Sequence, residues 1–94
     1  MAQTLSDEQV REGLEALDGW EGDASGISRT LTFADFTEAM GFVTKVALAA
    51  ERAFHHPDVS ISWATVELRI VNHSLGGVSD ACLELAERID RLAG

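Results

Sequence analysis

Apolar positions along the chain switch between a spacing near 3.6 and a spacing of two, and the switches outline its elements. Ser6-Asp7-Glu8-Gln9 reads as a capping box, in which a Ser N-cap and a Gln at N3 satisfy each other's free amides. Val10, Leu14 and Leu17 then fall on one helical face, and Asp18-Gly19 ends that helix. The turn-rich stretch Glu21-Gly22-Asp23-Ala24-Ser25-Gly26 separates a short strand around Trp20 from a longer one. In the longer one Ile27, Arg29, Leu31 and Phe33 alternate with Ser28, Thr30 and Thr32. This pattern predicts a hairpin.

Asp35-Phe36-Thr37-Glu38 is a second capping signature, and apolar residues recur at Phe36, Met40, Val43, Val46, Ala47, Ala50 and Phe54. One long amphipathic helix is expected, running to about His55 and spanning roughly 30 Å at 1.5 Å per residue. Pro57 disfavours the α region for His56 and ends the helix there. Val59, Ile61 and Trp63 alternate with Ser60 and Ser62. After a very short connection Val66, Leu68 and Ile70 alternate with Glu67 and Arg69, which predicts a second antiparallel pair. Leu75-Gly76-Gly77-Val78 turns the chain, Ser79 is placed as an N-cap, and Leu83, Leu85, Ala86, Ile89 and Leu92 form the stripe of a last helix. The order α-β-β-α-β-β-α predicts an α+β, two-layer domain: a four-stranded antiparallel sheet with helices packed on one face. The other face, carrying Ser, Thr, Glu and Arg, is left for solvent or a second subunit.

Composition narrows this picture. Ninety-four residues with 46% hydrophobic content fit a single domain over residues 1–94 with one core. A net charge of −9 argues against nucleic acid and against an anionic membrane surface, both of which are bound by clustered Lys and Arg. No apolar run approaches the roughly 20 residues that span a bilayer. The N-terminus lacks a basic and an apolar region, so no secretory signal is expected. The single cysteine, Cys82, has no partner within the chain and fits a reducing, cytoplasmic setting.

Candidate chemistry gathers in one place. His55-His56-Pro57, with Glu51 a turn upstream and His73 where the last strand meets a Gly-Gly turn, uses all three histidines and the only proline. A helix end favours a positive imidazolium, and a carboxylate four residues earlier favours it further, so His55 is expected to titrate near or above a free histidine. His56, turned out by Pro57, points elsewhere and feels less of Glu51. Imidazoles in unlike surroundings can divide acid and base work between them. The plainer account makes His55 and His56 a solvated helix end and His73 a surface residue. Adjacent histidines seldom chelate one ion together and no Cys or carboxylate spacing completes a set, so no metal is expected. Cys82, at N3 of the last helix, is either a thiol made more acidic by the helix amides or a small buried filler. Trp20 and Trp63 read as core or sheet-packing residues.

The run Ala50-Glu51-Arg52-Ala53-Phe54-His55-His56-Pro57-Asp58, then Trp63 to Ile70, then Asn72-His73-Ser74-Leu75-Gly76-Gly77-Val78-Ser79, resembles the signature of pterin-4a-carbinolamine dehydratases. This family is also known as the dimerisation cofactor of a homeodomain transcription factor. Gly19-Trp20, Arg29, Phe33, Phe36, Ala39, Phe42, Leu85-Ala86 and Ile89-Asp90 extend the likeness over nearly the whole chain. The resemblance implies a hydro-lyase that dehydrates 4a-hydroxytetrahydropterin to quinonoid dihydropterin in pterin recycling, without metal or organic cofactor. It implies His55, His56 and His73 as catalytic residues, with His56 the principal acid/base. It places Glu51, Pro57, Asn72 and Ser74 beside the pterin, and it implies a homodimer or homotetramer. One departure stands out: the family's Gly-Gly-Leu-Thr/Ser-x-x-Asp becomes Gly76-Gly77-Val78-Ser79-Asp80-Ala81-Cys82. The missing carboxylate is either the N3 half of a capping box, with Asp80 partly replacing it, or a partner of the imidazoles, so Asp80 and Cys82 are both candidates for support of the site. Loss of that partner keeps a second function open, a weak or inactive dehydratase-like homo-oligomer that acts as an interaction or assembly factor.

Overall fold

The computed structural model describes residues 3–93. Helix α1 (Asp7–Glu15) is followed by β1 (Glu21–Asp23), β2 (Gly26–Thr32), α2 (Phe36–Ala53), β3 (Asp58–Ser62), β4 (Thr65–Ile70) and α3 (Asp80–Ala93). The expected element order is found. The first helix carries both halves of its capping box, with Ser6 Oγ accepting from Gln9 N–H and Gln9 Oε1 accepting from Ser6 N–H. Asp35 caps α2 by accepting from Glu38 N–H.

All strand pairs are antiparallel, in the order β1-β2-β4-β3. Register puts Ile27 opposite Ile70, Leu31 opposite Val66, and Ile61 of β3 also opposite Val66. The same face therefore carries Ile27, Leu31, Val66, Leu68 and Ile70, all buried against Val10 of α1, Phe42 and Val46 of α2, and Leu85, Ala86 and Ile89 of α3. Burying a side chain of this size contributes about 1.5–3 kcal/mol, so this single layer contact holds the domain together. The opposite face carries rows such as Thr30, Glu67 and Ser60, and none of these three is buried.

At the edge of the inner layer one polar cluster is largely buried. Asp90 Oδ1 accepts from Arg29 Nη1 at 2.5 Å and from Trp20 Nε1 at 2.7 Å, while Oδ2 accepts from Asp18 N–H at 3.0 Å. Arg29 holds an inward position of β2, so its charge needs this partner.

Three expectations are corrected. The first strand begins at Glu21, leaving Trp20 before it as a buried core residue. Trp63 is 70% exposed; it sits between β3 and β4 with φ +51°, because the two-residue connection needs a left-handed backbone there. The long helix ends at Ala53, two residues short of His55.

Candidate active site

The chemistry of the candidate site starts with how α2 stops. Phe54 takes φ 53° and ψ 37°, its N–H donates to Glu51 C=O at 3.3 Å, and His55 N–H donates to Ala50 C=O at 3.2 Å. This is a Schellman closure with an aromatic residue in the position usually held by glycine. Pro57 follows as the residue that prevents any return to helix. Because the backbone reverses at Phe54, His55 and His56 leave the helix in different directions.

His55 turns toward α3. Its Nε2 lies 3.2 Å from Cys82 Sγ, and the ring is half-buried beside a cavity of about 210 Å³ lined by Ala53, Ala81, Glu84, Leu85 and Arg88. Burial pushes its pKa below the ordinary 6.5, and repulsion from His56 and His73 pushes the same way. The expected elevation is thus reversed. Helix carbonyls and Glu51 lose to desolvation, since the ring has left the helix axis and the carboxylate binds elsewhere.

That carboxylate serves His56. Glu51 Oε1 and His56 Nε2 are 2.6 Å apart, on an exposed rim, and both residues line a cleft of about 170 Å³ with Val43, Ala47, Pro57 and Val59. The expected Glu51–His55 pairing is replaced by this one. A spacing of four suits two residues on one helix, and the chain has left the helix before His55.

His73 lies three residues past β4 in a tight loop. Asn72 N–H donates to Gly77 C=O at 2.9 Å, and Asn72 C=O accepts from Gly76 N–H at 2.8 Å. Asn72 Oδ1 accepts from Leu75 N–H at 3.0 Å, which makes Asn72 the builder of the loop. Gly76 supplies φ +76°, and a Cβ on Gly77 would come within 2.9 Å of Ala24 C=O. His73 is exposed, with Nε2 3.9 Å from Asp58 Oδ2. Ser74 is exposed on the same loop.

The structure brings His55 and His56 together as chain neighbours, and His73 close enough for its charge to act on His55. The cavities beside His55 and His56 are separate, and His73 lines neither. Of the two candidate supporting residues, Cys82 reaches His55, whereas Asp80 lies exposed at the start of α3 beside a different depression shared with Gln3, Gln9 and Asn72. Sequence reasoning gave Asp58 no role. It pairs across β3 and β4 with Arg69, and nothing along the chain connects it to His73. No group of three or more His, Cys, Asp or Glu among the described residues is arranged to hold a metal ion.

Residues 3–92 match the family model described as Pterin 4 alpha carbinolamine dehydratase. A protein of Nocardia farcinica is 45% identical over 89 residues, covering 95% of this chain and 94% of its own. One of Natronomonas pharaonis is 39% identical over 93 residues, 99% of both chains. Each bears a provisional name as a pterin-4-alpha-carbinolamine dehydratase. The crystal structure of a transcriptional coactivator/pterin dehydratase from Brucella melitensis superposes with a TM-score of 0.93 at 33% identity, covering 98% of this chain and all of that one. A pterin dehydratase-like RuBisCO assembly factor of the alpha-carboxysome shares the fold, with a TM-score of 0.66 at 22% identity over 80% of this chain and 87% of its own.

Proposed function

Because the chain belongs to the pterin 4 alpha carbinolamine dehydratase family, we propose that it removes water from 4a-hydroxytetrahydropterin by acid/base catalysis at His55, His56 and His73. The C4a–O bond breaks with its electron pair going to oxygen, which takes a proton from an acid and leaves as water. The N5–H proton passes to a base, and the nitrogen pair forms the C4a–N5 double bond of quinonoid dihydropterin. Both transfers lie within the range of imidazole near neutral pH.

The observation that carries this reading is the unlike setting of three rings in one neighbourhood. His56 is oriented by Glu51 at 2.6 Å and remains open to solvent and substrate, which suits the principal acid/base. His73, facing Asp58, shares proton transfer, and the half-buried His55 orients the 4a-hydroxyl. Pro57 walls the cleft beside His56, and Asn72 shapes the loop that carries His73 and Ser74, the pair assigned here to the far side of the ring. No metal or organic cofactor enters the scheme, and the lone thiol of Cys82 fits a reducing, cytoplasmic compartment.

The test is dehydration of freshly generated 4a-hydroxytetrahydropterin followed by absorbance. Folded protein should accelerate it well beyond buffer; an unchanged rate refutes the enzyme reading.

One observation bears on assembly, which the enzyme and the alternative, a homo-oligomer working through protein contacts, both require. Phe36, Met40 and Leu48 of α2 and Val59 of β3 are exposed large apolar residues. Assembly as a homodimer or homotetramer would cover such residues, and light scattering of Met40→Lys against the parent chain checks it. A mass of one chain for the parent protein would remove this support.

A further inference from the structure

Cys82 is a buried thiol that the proposed dehydration does not use, and three polar groups surround its sulfur. His55 Nε2 is at 3.2 Å, Ser79 N–H at 3.4 Å and Ser79 Oγ at 3.6 Å. Ser79 immediately precedes α3, and Cys82 is the third residue of that helix. The sulfur therefore takes the place of the N3 carboxylate of a capping box, accepting from the N–H of the residue that opens the helix. The sulfur accepts from Ser79 N–H, and its one hydrogen has two acceptors in reach, Ser79 Oγ at 3.6 Å and the nearer His55 Nε2 at 3.2 Å.

We propose that Cys82 is a positioning residue whose S–H donates to Nε2 of His55 and so fixes that ring as the neutral, Nδ1-protonated tautomer. A neutral imidazole has one donor and one acceptor nitrogen, so using Nε2 as acceptor leaves Nδ1–H as the only remaining polar group. His55 then offers a hydrogen bond to a hydroxyl and leaves proton transfer to His56 and His73. A carboxylate at position 82 would do the reverse, since it can only accept and would demand Nε2–H.

The opposite arrangement, a thiolate facing an imidazolium, would place two charges in a buried setting, and the burial of both groups outweighs the Ser79 N–H and Glu84, which alone would favour it. Cys82 is fully buried and belongs to the apolar core with Val78, Leu85, Ala86 and Ile89. Arg88 and Glu84 line the cavity beside His55, and burial together with the influence of His56 and His73 disfavours its imidazolium. Burial is the largest of these effects and moves the ring toward its neutral form.

The experiment is a long-range ¹H–¹⁵N spectrum of ¹⁵N-histidine-labelled full chain at about pH 7.5, above the ordinary histidine range. Wild type should show His55 as the Nδ1–H tautomer. Cys82→Ala should move the tautomer ratio by about tenfold toward the Nε2–H form that free imidazoles favour, Cys82→Ser should restore Nδ1–H, and Cys82→Asp should invert it. A wild-type spectrum with Nε2–H or imidazolium at His55 overturns the proposal, whether or not any variant folds, as does an unchanged ratio in Cys82→Ala. The consequence for catalysis rests on the dehydratase reading: kcat of Cys82→Ala should fall about tenfold with KM nearly constant. The spectrum needs no turnover, so an inactive wild type with Nδ1–H at His55 would defeat the enzyme reading alone.

Discussion

Two polar clusters in this domain use similar groups to opposite ends. Around Asp90, three donors from Arg29, Trp20 and Asp18 converge on one carboxylate, whose side chain and that of Arg29 are each only 16% exposed. Around the histidines, the carboxylates of Glu51 and Asp58 are exposed, and each meets a single ring. The first cluster directs its donors onto Asp90 and joins α3 to β2. The second keeps ring nitrogens open at the junction of α2, β3 and the β4–α3 loop. A closed network spends its hydrogen bonds on the fold, whereas an open one leaves them for a ligand.

The contrast breaks most visibly at His56. His56→Ala should lower the dehydration rate by roughly 10²–10⁴ while moving the thermal midpoint little, because the ring lies on the surface. Stopped-flow absorbance and a melting curve on one sample report both quantities. A large fall in stability with intact turnover would exchange the roles of the two clusters.

Asp90→Ala is the mirror experiment. It strands a largely buried Arg29 and an indole N–H, and should cost about 3 kcal/mol in urea denaturation, the lower end for breaking a buried pair. A loss under about 1 kcal/mol, the range of surface pairs, would mean that the cluster is not closed in solution.

Glu51→Gln probes the exposed pair more gently. Since both partners face water, the rate should fall no more than about fivefold, the equivalent of ~1 kcal/mol, and less at high salt. A hundredfold loss would show Glu51 touching substrate directly.

The smallest effect expected is in stability against pH. His55 is depressed below 6.5 in the folded protein, so the unfolded chain binds the proton first as pH falls. Above 6.5 both forms are neutral and nothing changes; below it stability declines until the folded-state pKa is passed. Melting from about pH 8 to about pH 5 should show a shallower decline in His55→Gln than in wild type. Equal slopes would place the ring in water.

How far the candidate site was legible depended on the range of the interaction. Ser6 with Gln9 and Asp35 with Glu38 are contacts three residues apart, decided by local backbone geometry, and both caps stand as read. The alternation in β2 and β4 likewise named the buried Ile27, Leu31, Val66, Leu68 and Ile70 in advance. The pairing of Glu51 failed by one residue, since helical spacing pointed to His55 while the left-handed Phe54 delivered His56. Nothing in the local sequence announces that conformation, because an aromatic residue has no preference for it. Trp63 misled for the same reason: alternation extended it into the strand, and the tight connection turned it out to solvent.

By itself, then, the chain determined its element types, the face each would bury and the set of residues able to move protons, since these follow from periodicity, capping chemistry and side-chain acidity. Only the tertiary structure decided that β2 lies beside β4, that Cys82 meets His55 across 27 positions, and that Asp58 faces His73. Such contacts arise when layers pack around a common core, and packing responds to the summed shape of distant segments.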